Sequence, residues 1–195
     1  MTTQDELSTR KASVRRLVLS RRGRLDPAVR EAAAREVAAA LTALAEVAGA
    51  GSVLGFASFG TELPTDPSME ALLTAGKRLL LPYVEGRRLC AAEVGSIEDL
   101  APGYRGIREP VARTPVDLAV ADVILVPGVA YDEHGRRLGY GGGFYDGLLS
   151  EVTRSVPRIG LCFDLQIVDA VPAGEADEPV DVVISERRVV RCVPA

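Results

Sequence analysis

The sequence predicts an α/β fold, with helices packed on a mostly parallel sheet, and three observations carry that prediction. Short apolar runs of strand type alternate with segments of helical period along most of the chain. One run, "DVILVPGVAYD" (122–132), is nearly all apolar in its first half, as a strand buried on both faces is. A glycine-rich string, "LGYGGGFYDGLL" (138–149), follows it and opens a helical segment. Parallel α/β sheets bind ligands at such a place, beyond the carboxyl ends of their strands.

Taken in order, the first element is a helix. "TQDE" (Thr3 to Glu6) has capping-box spacing, and Leu7, Val14, Leu17 and Val18 follow at helical intervals. Lys11 and Arg15 lie one turn apart on it, and Arg22 returns near the same angular position two turns later. On charge pattern alone, a solvated basic face and an anion site both fit. Asp26 as N-cap with Pro27 behind it announces a second helix, closed by Gly49, with Val29, Ala33, Val37, Leu41 and Leu44 as its buried stripe. "SVLGFASF" (52–59) reads as a strand, "GTELPTDPS" as a turn region, "MEALLTAG" as a short helix and "KRLLLPYV" (77–84) as a strand. "EGRR" leads into "LCAAEV" as a hairpin return. "GIREP" (106–110) offers Arg108 and Glu109 in a turn, as a site that could help complete a pocket or, by default, as a solvated pair. After the glycine loop come a helix through "FYDGLLSEV" and the strands "RIGLCFD" (158–164) and "DVVISE" (181–186). No repeat or linker divides the 195 residues, so a single domain spanning 1–195 is expected.

Composition narrows the function classes. The chain is 47% hydrophobic and 26% charged, in the globular range, and has no apolar run of membrane-spanning length. "MTTQDELSTRKASVRR" is polar where a secretory signal needs an apolar core, so a cytoplasmic location is expected. Cys90, Cys162 and Cys192 are odd in number and far apart, which argues against a disulfide framework or a zinc site. His134, the single histidine, lies in a loop-like string, and a hydrolase triad would have to use it. Seven basic residues and no acid fall between residues 10 and 24, leaving 16 basic residues against 27 acids elsewhere. A nucleic-acid-coating protein does not usually carry such an acidic remainder; a local anion site fits better.

The glycine loop is the strongest chemical signal. Backbone N–H groups at a glycine turn opening a helix suit phosphate. It is no Walker A loop, because no lysine follows and the chain's lysines are Lys11 and Lys77. It is no GxGxxG fingerprint either, since Phe144 stands where the third glycine belongs. A turn that merely lets a helix pack close to a strand remains the alternative. Against it, Tyr140, Phe144, Tyr145 and Asp146 crowd the loop in a chain only 5% aromatic. A planar heterocycle can stack there, and a carboxylate beside phosphates can hold Mg²⁺. Glu62, just past the first strand, serves either a pocket or the cap of the helix that follows. Asp181, at the mouth of the last strand, is a further candidate or a simple strand-start residue.

Taken together, "KASVR", "FASFGTELPT", "LLLPYV", "GIREP", "DVILVPGVAYDEHGRRLGYGGGFYD", "IGLCFDLQ" and "ADEPVDVVISE", in that order over nearly the whole chain, resemble the 5-formyltetrahydrofolate cyclo-ligase family. The resemblance implies a three-layer αβα sandwich similar to ribose-5-phosphate isomerase and CoA-transferase folds. The implied reaction is the ATP-dependent conversion of 5-formyltetrahydrofolate into 5,10-methenyltetrahydrofolate with release of ADP and phosphate. It further implies that Lys11, Ala12, Ser13, Val14 and Arg15, with Arg137, Leu138, Gly139, Tyr140, Gly141, Gly142, Gly143, Phe144 and Tyr145, bind ATP. Ala57, Glu62 and Tyr140 to Phe144 bind the folate, Asp146 and Asp181 bind Mg²⁺, and Lys11, Arg15 and Tyr145 serve catalysis. The expected enzyme is a monomer working on two small molecules, with neither nucleic acid nor membrane as partner. Two positions depart from the family pattern. Many relatives have lysine where this chain has Gly142, which shifts phosphate charge onto Lys11 and the arginines. Many also have histidine where Ala176 precedes Asp177.

Overall fold

Residues 3–86, 88–174 and 176–193 are described by a computed structural model, apart from the Thr3 side chain. The expected Thr3–Glu6 capping box needs that side chain and so lies outside the described residues, as does Arg87 of the "EGRR" turn. The elements are, in order, α1 (Thr3–Arg22), α2 (Pro27–Ala43), α3 (Ala45–Gly49), β1 (Ser52–Leu54), α4 (Asp66–Thr74), β2 (Arg78–Glu85), β3 (Arg88–Val94), β4 (Leu100–Pro102), β5 (Arg108–Pro110), β6 (Val123–Val126), β7 (Ala130–Tyr131), β8 (Arg137–Leu138), α5 (Phe144–Glu151), β9 (Arg158–Leu161), β10 (Val182–Ile184) and β11 (Val189–Arg191).

Seven strands form one sheet in the order β11-β10-β9-β6-β1-β2-β3. The five from β10 to β2 are parallel, and β3 and β11 close the edges antiparallel. Alternation along the strands divides their side chains between two cores. Val53, Leu79, Leu81, Val123, Leu125, Ile159 and Ile184 face α2, α3 and α4, while Leu54, Leu80, Ile124, Val126 and Val183 face Leu148 and Leu149 of α5. A sheet apolar on both faces must be covered on both, which is the physical basis of the observed three layers. A third, smaller cluster packs Val18 of α1 against Val129, Ala130, Leu138 and Val171, setting α1 beside the residues that follow β6.

Several sequence expectations change at this level. Val29, expected in the buried stripe of the second helix, is about half exposed at 53%, as is Leu17 on α1 at 51%. The second helix breaks at Leu44, which is extended (φ −66°, ψ 135°), and resumes as α3. Thr42 directs its hydroxyl back onto the Ala38 and Ala39 carbonyls just before the break, a bond that bends helices. "SVLGFASF" is ladder-paired only over Ser52–Leu54, and its remainder runs past the sheet's end. Arg108 and Glu109 sit on β5, paired with β4, rather than in a solvated turn. Glu109 is buried, accepting from the N–H groups of Val84 and Tyr104 and from Arg113, while Arg108 pairs with Asp66. Thus the first acid ties β2 to the 104 turn, and neither residue is free for a ligand.

The fully buried Tyr131 shows how tightly the α5 face packs. Its hydroxyl donates to the Val126 carbonyl at 2.6 Å, and its ring lies where a Cβ on Gly160 or Gly128 would come within 2.5 and 2.6 Å. Gly160→Ala is therefore expected to destabilise the fold by about 1–3 kcal/mol, the usual cost of overpacking a dense core, as a lower thermal midpoint records. An unchanged midpoint would mean that the ring can give way.

Candidate active site

The sheet's topology chooses the site. From β1 the chain crosses to β2 on one side, whereas β6 lies on the other, so connections leave in opposite directions at the carboxyl ends of β1 and β6. The crevice opened at such a switch point is where α/β sheets accept ligands. The residues after β1, those after β6 and one face of α1 meet there.

After β1, the 59–62 turn is closed from inside. Glu62 Oε2 accepts from the Phe59 N–H at 2.9 Å, Ser58 and Thr65 exchange backbone-to-hydroxyl bonds, and Arg30 of α2 donates to the Gly60 and Glu62 carbonyls. Glu62 therefore does not cap α4, whose N-cap is Thr65. Its side chain is buried, as is Ala57, and burial pushes the carboxyl above the usual glutamate range against the opposing pull of the Phe59 N–H, the Tyr140 hydroxyl and Arg22.

After β6, the β7–β8 hairpin delivers the glycine loop. Arg137 is buried at 5% exposure, donating to the Pro127 carbonyl and pairing with Asp146 in the first turn of α5. Gly141 and Gly143 take φ of 95° and 71°, which side chains resist. Gly143 is the N-cap of α5 and offers no side-chain oxygen, so the first N–H groups of α5 have no side-chain cap. Tyr140 to Gly143 are exposed, and Phe144 and Tyr145 are half-buried. The Tyr145 hydroxyl itself is buried without a partner among the described residues, and burial raises its pKa so far that it keeps its proton.

The basic face of α1 closes the arrangement. Lys11 Nζ lies 2.8 and 2.5 Å from the two Asp177 oxygens, Arg15 Nε donates to the Gly139 carbonyl at 2.9 Å, and Arg22 donates to Thr61 and the Tyr140 hydroxyl. These three residues, one angular family in the sequence, turn towards the glycine loop and its neighbours, while Ala12 and Ser13 are exposed and Val14 is half-buried. Asp177 also accepts from the Gly174 N–H, so it is itself held in place. Under the reaction that the resemblance implies, Asp177→Asn is expected to unpin Lys11 and raise the KM for the phosphate-bearing substrate by roughly two- to fivefold, the range of a partly exposed ion pair, with the KM for the other substrate unchanged. Equal shifts for both substrates in steady-state assays would reduce the pair to a structural tie.

Aromatic rings flank the loop on two sides. Phe59 and Tyr140 have centroids 5.0 Å apart, and Tyr104 meets Phe144 edge-on at 5.6 Å. Tyr104 and Phe144, with Arg105, Gly142 and Gly143, line a cleft of about 510 Å³. Phe59, Tyr104 and Arg105 were missed as candidates. Phe59 stands in a quoted motif, but no spacing in the sequence brings Tyr104 to Phe144.

The expected metal pair is not brought together. Asp146 begins α5, whereas Asp181 lies past that helix's far end, at the amino ends of β9 and β10, where Arg154 and the Arg158 N–H hold it. Among the described residues, no group of three or more His, Cys, Asp or Glu is arranged to hold a metal. Asp146 alone, near the loop, suits Mg²⁺ of the kind that takes one carboxylate and completes its shell with phosphate oxygens and water. The His134 ring hydrogen-bonds the Val193 carbonyl and its backbone N–H donates to Asp132, and burial raises the Cys162 and Cys192 thiols, the latter to about 11.

A parallel sheet with glycine backbone, cations and aromatic rings gathered at its switch point defines a class: α/β proteins with an anion-plus-heterocycle cleft beyond the strand ends. The profile of the 5-formyltetrahydrofolate cyclo-ligase family matches residues 7–186, and the chain belongs to that family. The 5-formyltetrahydrofolate cyclo-ligase of Escherichia coli (strain K12) is 32% identical over 179 residues, covering 89% of this chain and 98% of that protein. That of Mycolicibacterium smegmatis is 30% identical over 185 residues, covering 91% and 94%. Among solved structures, the 5,10-methenyltetrahydrofolate synthetase of Aquifex aeolicus superposes with a TM-score of 0.84 at 34% identity, over 95% of this chain and 94% of that one. The Mycoplasma pneumoniae synthetase, at 21% identity and a TM-score of 0.73, shares the fold over 90% of this chain and 98% of that one. No helix among the described residues is long and apolar enough to cross a membrane.

Proposed function

We propose that residues 1–195 act as one catalytic unit, a cytoplasmic monomer that uses ATP to cyclise 5-formyltetrahydrofolate to 5,10-methenyltetrahydrofolate, with the switch-point cleft as active site. The observation that carries this reading is the convergence of Arg15 and Arg22 on the glycine loop beside a buried carboxylate, Glu62, with Lys11 on the same face of α1 held by Asp177. With Lys11, Arg15 and Arg22 tied into the site, the basic segment reads as a local anion site and not as a nucleic-acid face.

The chemistry needs positioning and charge neutralisation more than a nucleophile on the protein. The formyl oxygen attacks the γ-phosphorus of ATP and ADP leaves, so a poor leaving group becomes a phosphate ester on an iminium carbon. N10 then attacks that carbon, the C–O bond breaks with release of phosphate, and N10 gives up its proton as the methenyl bridge forms. Lys11, Arg15 and the loop N–H groups take the phosphates, and Tyr145, which keeps its proton, donates a hydrogen bond to them. Glu62 accepts from the pterin, while Tyr140 and Phe144 cover it and exclude water from the activated intermediate. Asp146 would hold Mg²⁺, which supplies further neutralisation of phosphate charge; Asp181 anchors the start of β10 in this reading.

The test is an absorbance assay. Protein mixed with 5-formyltetrahydrofolate, Mg²⁺ and ATP is expected to produce the methenyl chromophore with one ADP and one phosphate per turnover. Absence of any ATP-dependent change would remove the proposal.

A further inference from the structure

Arg22 ends α1 and is 2% exposed, an unusual situation for a guanidinium. Two of its nitrogens are used: Nε donates to Thr61 Oγ1 at 3.1 Å and Nη2 to the Tyr140 hydroxyl at 2.6 Å. The third, Nη1, is buried with no partner among the described residues. Leaving a buried charged donor unpaired is costly, and such groups in native proteins usually await a ligand or water. Arg22 and Glu62 line one niche of about 10 Å³, the room of a single oxygen-sized atom, with Phe56, Leu63 and Gln166. Gln166 is fully spent, accepting from the Phe163 N–H and donating to the Gly128 and Val129 carbonyls. The Tyr140 hydroxyl accepts from Arg22 and lies near enough to Glu62 to help hold its pKa down against burial, linking the two. The niche therefore offers one unused cationic donor beside a carboxylate in otherwise apolar surroundings.

We infer that Arg22 is a specificity-determining residue that donates from Nη1 to the ring carbonyl of a 2-amino-4-oxo pteridine, while Glu62 takes the adjacent ring N–H and amino group. The inference rests on the proposed reading of the cleft as a folate site. Its physical basis is edge matching: that heterocycle presents one acceptor next to two parallel donors, the complement of a guanidinium N–H beside a two-oxygen carboxylate. Adenine presents a single donor on the corresponding edge and would leave one carboxylate oxygen unpaired. The site would thus reject the co-substrate's base while accepting the folate's ring, since an unpaired buried group penalises the wrong ligand.

The experiment compares wild type with Arg22→Met, which keeps bulk without the donor, and Arg22→Lys, which keeps a cation without the fork. Arg22→Met is expected to raise the folate KM by roughly 10- to 150-fold, the range of a hydrogen bond to a charged group, with the ATP KM within about twofold of wild type. Arg22→Lys should recover part of that loss. A second readout is the pH profile of kcat/KM for folate. Removing the cation next to Glu62 should move its acidic limb to higher pH in Arg22→Met, and the split between the folate and ATP KM values is what a merely structural arginine would not give. Equal losses for both substrates, a rise confined to ATP, or an unmoved pH limb would each overturn the inference. Should Arg22→Met not fold, unchanged folate kinetics in Arg22→Lys would overturn it alone. If wild type itself makes no methenyl product, the functional reading fails before any variant is made.

Discussion

Arg15→Ala is expected to lower kcat/KM for ATP by roughly 10²–10³-fold, the cost of removing a preorganised charge from a phosphoryl-transfer site. Arg15 has two roles in the geometry. Its Nε ties α1 to the Gly139 carbonyl, and its guanidinium lies beside the loop, 3.7 Å from where a Cβ on Gly141 would stand. The remaining N–H donors form a planar fork suited to phosphate oxygens. Because charge on the transferring phosphoryl group develops in the transition state, kcat should fall more than the ATP KM rises. Arg15→Lys, with the charge but not the fork, should be intermediate. Steady-state methenyl formation over an ATP series measures this, with a thermal midpoint as control for folding. Unchanged ATP kinetics in Arg15→Ala would mean that the face of α1 is only a solvated basic stripe.

Glu62→Gln is expected to have the opposite selectivity, raising the folate KM by roughly 10- to 150-fold with the ATP KM nearly constant. Glutamine keeps the shape and can still accept from the Phe59 N–H, but it cannot present two anionic oxygens to two donors. The same substitution is expected to raise the thermal midpoint of the ligand-free protein at neutral pH. Burial holds the Glu62 carboxyl above its unfolded-state value, so the ionised form is disfavoured in the fold. That penalty is absent below the unfolded pKa and grows as pH rises through the folded one. Glutamine carries no such penalty at any pH, and its advantage should vanish in acid. Folate capture requires the ionised carboxylate, so wild-type kcat/KM for folate should fall as pH drops through the raised value. The variant's profile should be flat there. A variant impaired only towards ATP would contradict the assignment of Glu62 to the folate.

These two residues also show how far the primary structure carries. Lys11, Arg15 and Arg22 share a helix face by spacing alone, and α1 does bring Arg15 and Arg22 to the glycine loop, while Lys11 pairs with Asp177. Local patterns predicted the elements well because each is governed by its own residues: Asp26 does cap α2, and Val123–Val126 is a fully buried strand. Errors fell where neighbours distant in the chain decide. Leu17 has the right period for a buried stripe, yet the Val18 side of α1 meets the hairpin after β6. Glu109 looked like a turn residue because nothing nearby in sequence reveals that the Val84 and Tyr104 N–H groups need an acceptor. The edge strand β11 is only Val189–Arg191, and its side chains are mostly exposed, so a run this short does not stand out as a strand before its pairing with β10 is known.

By itself, then, the sequence determined the alternation of helices and strands, a two-faced sheet, a glycine loop in the right place for a ligand, and the family. Hydrophobic period, caps and motif order are properties of contiguous residues and survive without coordinates. Only the tertiary structure decided the switch point between β1 and β6, the burial that sets the charge of Glu62, the unpaired nitrogen of Arg22 and the separation of Asp146 from Asp181. Each of those depends on which segments become neighbours across the sheet. Desolvation and hydrogen-bond satisfaction are set by that neighbourhood, not by position along the chain.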